Sequence, residues 1–238
     1  MKTSAPVLSV VLPAFNEEGQ LAVTVRQVRH SLDSLSVAAE IIIVDDGSSD
    51  HTPAIADSLM AELDGVVALH QSNQGIGGAF RTGARAARGE YLILWPADMP
   101  ALPADLAPYV AQFGKTDVIV GVRRARVGYN LVMRLNAWIY PRLVRTLFAL
   151  RLRDVNWIHA YRRAHFEKIQ LTQRGIPMLV EALVRLRDNG ATFAEVEVEM
   201  KPRMDGVPSA ARPRIMLRTL RGLFAFWRLW RKSRVAHT

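Results

Sequence analysis

The 238-residue chain contains no cysteine. That absence excludes disulfide staples and cysteine-based zinc sites, and it suits a reducing compartment. No window offers the roughly 18 uncharged apolar residues that a membrane-crossing helix requires. Met1 to Val11 lacks a basic stretch followed by a long apolar run, so no secretory signal is expected. Acidic residues are missing from the end: beyond Asp205 there are eight Arg or Lys and no Asp or Glu. Residues 1–205 hold 23 basic and 22 acidic side chains, so nearly all of the +9 formal charge belongs to the tail. A body this close to neutral argues against a nucleic-acid partner, and the basic tail is expected to have a partner of its own. No Walker-type lysine follows the glycine-rich run Asn73 to Gly78, which excludes a P-loop.

Half of the residues are apolar, enough for a sizeable core. The chain is organised around Ile41 to Asp50, IIIVDDGSSD. Ile41 to Val44 are four consecutive β-formers and read as a strand buried on both faces. Asp45 and Asp46 stand where that strand must end. Gly47 to Ser49 form a turn, and Asp50 or Ser49 caps the next helix. In open α/β sheets, ligands bind beyond the carboxyl ends of the strands, so two adjacent carboxylates there point to a binding role. The surrounding pattern predicts strands at Leu8–Leu12, Glu40–Val44, Val66–Leu69, Tyr91–Trp95, Asp117–Val122 and Ala194–Met200. It predicts helices at Glu18–Leu35, His51–Leu63, Ala79–Ala87, Asn130–Leu150 and Pro177–Asp188, with Gln71–Gly78 as a turn. Alternating β and α segments with short connections indicate an α/β chain with a doubly wound, mostly parallel sheet flanked by helices.

Five segments occur in order: LPAFNE (Leu12–Glu17), VDDGSSD (Val44–Asp50), NQGIGGAFRTG (Asn73–Gly83), DVIVGVR (Asp117–Arg123) and PRMDGVPS (Pro202–Ser209). Together, over about residues 7 to 210, they resemble family 2 glycosyltransferases of the Rossmann-like GT-A fold. The branch they resemble most is the dolichol- or polyprenyl-phosphate mannosyl- and glucosyltransferases. The resemblance implies an inverting transfer of sugar from a GDP- or UDP-linked donor to polyprenyl phosphate. It implies that Pro13, Phe15 and Glu17 line the base and ribose pocket, with Asp45 or Asp46 accepting hydrogen bonds. Carboxylates only accept, which suits the N–H groups of a base and the O–H groups of a ribose. Asn73, Gly75 and Ala97 join the donor side by the same resemblance. For Asn16 and Glu17, a plain helix start is an equal alternative.

The resemblance departs at the fourth strand end, where relatives carry an Asp-x-Asp that binds a divalent metal. Here the run is Pro96-Ala97-Asp98-Met99-Pro100, with Asp98 the one carboxylate left. Three readings follow. Asp98 and the donor hold Mg²⁺ or Mn²⁺ between them, arginines replace the ion, or the chain is a silent sugar-nucleotide-binding subunit. An active enzyme is preferred because the other motifs are intact; a family 2 enzyme with a non-lipid acceptor is a further alternative. By resemblance, Asp98, Asp154 and Arg203 carry catalytic roles, and Arg123 and Arg134 hold the acceptor phosphate. His159 is a further candidate, as base or as donor to phosphate.

In the tail, Met216, Leu220, Leu223, Trp227 and Trp230 recur at helical spacing, with Arg214, Arg218, Arg221, Arg228 and Lys232 opposite. Residues 211–238 are therefore expected to form a basic amphipathic helix apart from a 1–210 catalytic domain. Its apolar stripe would lie on the cytoplasmic face of a membrane, making the protein peripheral. Docking of that stripe on the chain's own domain, or on a second copy, is the alternative.

Overall fold

The computed structural model describes residues 5–99, 102–124, 131–199 and 213–235. Strands and helices alternate through the first half: β1 (Leu8–Ala14), α1 (Leu21–Ser34), β2 (Ala39–Asp45), α2 (Thr52–Glu62), β3 (Val66–His70), α3 (Ile76–Ala86), β4 (Tyr91–Leu94) and α4 (Pro103–Val110). The second half runs β5 (Val118–Arg123), α5 (Leu131–Phe148), β6 (His159–Arg162), α6 (Arg163–Phe166), α7 (Pro177–Asp188), β7 (Phe193–Val198) and α8 (Pro213–Val235). The strands form one sheet in the order β3-β2-β1-β4-β6-β5-β7. β6 runs antiparallel to β4 and β5, and the other neighbouring pairs are parallel. This is the expected mostly parallel α/β sheet.

The central run shows why the sheet forms. Ile41 to Val44 are fully buried. Ile41 and Ile43 enter the core beneath α1, α2 and α4, while Ile42 and Val44 enter the core beneath α3, α5, α7 and α8. Both faces are covered, as a parallel sheet demands. β1 continues past its expected end through Pro13, which pairs with Val44. Proline is tolerated there for a geometric reason. Val11 O accepts from Trp95 N on the β4 side, so Pro13, two residues on, faces the same side. β4 has already ended there, and no ladder bond needs the missing N–H.

Three local readings need correction. The turn expected over Gln71–Gly78 stops at Gly75, and Gly77 and Gly78 already lie in α3. Gly77 N donates to Arg174 O at 2.8 Å, an approach that glycine permits because it has no Cβ. β6, within DVNWIHAYRR, and α4 were not anticipated. Finally, part of the apolar stripe of α8 docks on the chain's own domain, the alternative expected for it. Leu223 and Phe226 are fully buried, and Trp227 and Trp230 pack against the same core. Phe148 of α5 stacks on Phe226 at 5.2 Å, and Trp230 Nε1 donates to Asp188 at the end of α7. Burying Leu223 and Phe226 stabilises this docking by about 1.5–3 kcal/mol each. The arginine side of α8 stays exposed.

Candidate active site

Parallel strands bring their carboxyl ends to one edge of the sheet. The order β2-β1-β4 sets three of these ends side by side: Asp45 and Asp46, then Pro13 and Phe15, then Ala97 and Asp98. β5 ends at Arg123 on the same edge. β6 runs the opposite way, so the segment leading into it, Asp154 to Ile158, also arrives at this edge. Pro13, Phe15, Asp45, Asp46, Ala97 and Asp98 are thereby brought to the same edge as Arg123 and Asp154.

The β1 and β2 loops are stitched to each other. Asn16 adopts φ 55°, a left-handed backbone that asparagine tolerates. Its backbone N–H donates to Ser48 Oγ at 3.0 Å, and its Oδ1 accepts from Ser49 N at 2.9 Å. Glu17 N donates to Thr52 Oγ1 at 2.8 Å, and Asp50 accepts the Thr52 N–H at the start of α2. Gly47 has φ +76°, and a Cβ there would lie 2.9 Å from Asn73 N. Only glycine fits where the β2 loop meets the loop after β3.

Both aspartates are 3 % exposed. Asp46 accepts from Gln71 Nε2 (2.6 Å), Gln74 N (2.8 Å) and Gly75 N (2.7 Å). It therefore fixes the loop that starts α3. Asp45 accepts from Ser48 N at 3.0 Å, and its other oxygen lies 3.3 Å from His70 Nδ1. His70 is its register partner on β3, and His70 Nε2 lies 2.9 Å from Asp57. Asp57 first, and Asp45 with it, raise the His70 pKa despite partial burial. Phe15 and Asn73 are exposed at the rim, Pro13 and Gly75 are half-buried, and Ala97 is buried.

Asp98 is half-buried in the turn after β4. Trp95 closes that turn by donating Nε1–H to Met99 O at 3.0 Å. Among the described residues there is no cluster of three or more potential metal-ligating side chains. The carboxylate that this turn offers is Asp98. It fits an ion that takes its remaining ligands from a diphosphate and water, as Mg²⁺ commonly does.

Arg123 and Asp154 are brought together. Arg123 Nε donates to Asp154 Oδ2 at 2.7 Å and Nη2 to Oδ1 at 2.9 Å. The side chains are 9 % and 2 % exposed. Burial pushes the Asp154 pKa up, but the Arg123 hydrogen bonds and charge more than offset it, so the carboxyl is held below its usual range. The Arg123 guanidinium also lies 4.8 Å over the Trp157 ring. Trp157, Ile158, Trp95, Met99, Tyr109 and Val198, with Asp105 and Glu199, line a mostly apolar slot that shares Trp157 with this pair. Tyr109 OH donates to Ile158 O at 3.0 Å and fixes one wall.

His159 opens β6 fully buried, with neither ring nitrogen well hydrogen-bonded. Burial lowers its pKa to about 4, although Asp154 pulls the other way, so the imidazole is neutral at pH 7. It packs 6.3 Å from the Tyr161 ring, away from solvent. Arg134 sits exposed on α5. Arg203 lies outside the described residues. Trp157, Tyr109 and His70 were not picked out from sequence. For Trp157 a signal existed, an aromatic three residues after Asp154, but it becomes legible only once β6 is known to be a strand.

The sequence profile described as Glycosyl transferase family 2 matches residues 9–183. The chain belongs to this family. A similar relative is the glycosyltransferase AglD of Haloferax volcanii, 33 % identical over 209 residues, covering 83 % of this chain and 34 % of that protein. The polyprenol monophosphomannose synthase of Mycolicibacterium smegmatis is 30 % identical over 217 residues, covering 83 % of this chain and 78 % of that one. An undecaprenyl-phosphate 4-deoxy-4-formamido-L-arabinose transferase of Shewanella sediminis is 27 % identical, covering 84 % of this chain and 60 % of that one. The chain thus spans about a third of the length of AglD and 60 % of the arabinose transferase. Among solved structures, glucosyl-3-phosphoglycerate synthase from Mycobacterium tuberculosis, crystallised with phosphoglyceric acid, superposes with a TM-score of 0.71 at 19 % identity. That match covers 92 % of this chain and 79 % of that one. The same enzyme crystallised with Mg²⁺ and uridine diphosphate gives a TM-score of 0.70. These likenesses establish the family 2 fold, GT-A, for this chain.

Proposed function

We propose that this family 2 chain transfers a sugar from a nucleotide-sugar donor to polyprenyl phosphate at the cytoplasmic surface of a membrane. The observation that carries the reading is the single sheet edge where Asp45, Asp46 and Asp98 stand in line with the Arg123–Asp154 pair. Relatives with polyprenyl-phosphate names support the acceptor class. The base and ribose lie over the β1 and β2 ends, against Pro13 and Phe15, with Glu17 and Asp45 as acceptors. Asp46 acts by holding Asn73 to Gly75 in place, since its own oxygens are occupied by that loop.

Asp98 would hold a divalent ion, which would neutralise charge on the donor diphosphate. The chain's own residues do the rest. A phosphate acceptor is already an anion at neutral pH, so no strong base is required. Positioning and charge stabilisation become the main catalytic terms. Arg123 is pre-oriented by its bidentate bond to Asp154 and by Trp157, which reduces the entropy lost when it meets a phosphate. By their family positions, Arg134 is assigned to the same acceptor phosphate and Arg203 to that phosphate or the donor diphosphate.

Calorimetric titration with UDP- and GDP-sugars tests the donor side. One base should bind, and Asp45→Asn should weaken it without unfolding the protein. No binding of either base by the folded protein would overturn the reading.

A further inference from the structure

The outward face of α5 is unusual for a helix packed on a sheet. Tyr140, Val144 and Phe148 are buried, with Leu143 and Leu147 partly so. The opposite face should be polar. Instead Leu135 (56 % exposed), Trp138 (56 %) and Ile139 (44 %) stand there. At 100° per residue they share an arc of roughly 140° with Arg134, Arg142 and Arg145. The Arg142 guanidinium lies 3.8 Å over the Trp138 ring. α5 contains no acidic residue.

We propose that this face of α5, rather than the apolar stripe of α8, is the surface by which the chain docks on an anionic lipid bilayer. The charge pattern selects that occupant. Arginines alternate with apolar side chains on one face, and no acid opposes them. α8 meets the end of α5 through Phe148, Phe226 and Trp230, and it too contains no acidic residue. A tryptophan flanked by arginines suits the headgroup region, where the ring has an apolar body and a polar N–H and the guanidinium groups reach phosphate. Among the described residues no helix is long and apolar enough to cross a membrane, so the contact is interfacial. Leu223 and Phe226 of α8 are unavailable because they are buried in the core, and Trp227 and Trp230 are half-buried against it. The proposal adds a lipid-facing surface to the membrane-acceptor reading, and it is tested without donor or acceptor.

The test is flotation of the full chain with vesicles of phosphatidylcholine alone, or of phosphatidylcholine with phosphatidylglycerol, both lacking polyprenyl phosphate. Wild type should float with the anionic vesicles and far less with the neutral ones. Arg142→Glu with Arg145→Glu should weaken binding by at least tenfold, at about fivefold for each arginine lost from an anionic surface. Leu135→Ser, Trp138→Ser and Ile139→Ser together should lose it as well, with unchanged circular dichroism. Leu217→Ser with Leu229→Ser, on the exposed side of α8, should change it less than twofold. Three results would overturn the proposal: no flotation of wild type, unchanged binding by the α5 variants, or loss confined to the α8 pair. A change in oligomer mass by light scattering with unchanged flotation would assign the face to a second copy instead.

Discussion

Asp154→Ala is the most informative single change, because the carboxylate it removes leaves the Arg123 guanidinium behind. The Arg123 side chain is 9 % exposed and bonds both Asp154 oxygens, at 2.7 and 2.9 Å. Asn156 N adds a longer bond at 3.2 Å. Deleting one member of a buried pair costs about 3–5 kcal/mol, because the other charge is left in a poorly solvated site. For a chain of this size each kcal/mol lowers Tm by about 2–4 °C, so a fall of about 6–20 °C is expected at pH 7. The double change Arg123→Met with Asp154→Leu should recover most of the loss, since no charge is then buried. Its Tm should lie well above that of Asp154→Ala. The folded pKa of Asp154 is depressed, so its contribution is present above the unfolded value of about 3.9 and is lost as pH falls through the folded one. The stability gap between wild type and variant should therefore close in acid. Calorimetry and urea melts at pH 7 measure the effect. A loss under about 1 kcal/mol, or a double variant no better than the single, would refute the pairing argument.

Further outcomes follow from the same geometry. His159 has a folded pKa of about 4 against 6.5, so wild-type stability should fall by about 3 kcal/mol on acidification through that window; His159→Leu should flatten the slope in urea melts. His70 behaves oppositely. Its folded pKa is raised by Asp57 and Asp45, so its contribution is full below about 6.5 and disappears as pH rises through the folded value. His70→Gln should lose stability at pH 6 and match wild type at pH 9. Gly47→Ala, with φ +76° and a Cβ 2.9 Å from Asn73 N, should cost about 1–3 kcal/mol and weaken nucleotide binding in calorimetry. Asp98→Ala should reduce sugar transfer by about a hundredfold, the scale on which one lost charge-stabilising contact acts. Transfer unchanged by Asp98→Ala would favour arginines as the diphosphate ligands.

The first half of the fold was legible because each strand there is a short β-branched or aliphatic run followed by turn residues. Ile41–Val44 needs no tertiary information to be read as a doubly covered strand. The position of Asp45, Asp46 and Asp98 at the strand ends was legible for the same reason, since parallel strands bring their carboxyl ends to one edge. β6 was not legible. His159 to Arg162 is short and holds two basic residues, and it becomes a strand only because β4 and β5 leave a gap between them. Without β6, the meeting of Asp154 with Arg123 and Trp157 is invisible. The start of α3 was obscured by its glycines, which carry low helix propensity but are needed where Arg174 approaches. The α8 periodicity was read correctly, but spacing shows only that a stripe will be covered, not by what.

The central claim is tested most directly by transfer of labelled sugar from a panel of UDP- and GDP-sugars into a polyprenyl-phosphate fraction, with Mg²⁺, Mn²⁺ or EDTA present. The account predicts label in the lipid-soluble product with one donor base, lost on Arg123→Ala. A folded protein that binds nucleotide yet labels no lipid with any donor would contradict it, and would point to a non-lipid acceptor or a silent binding subunit.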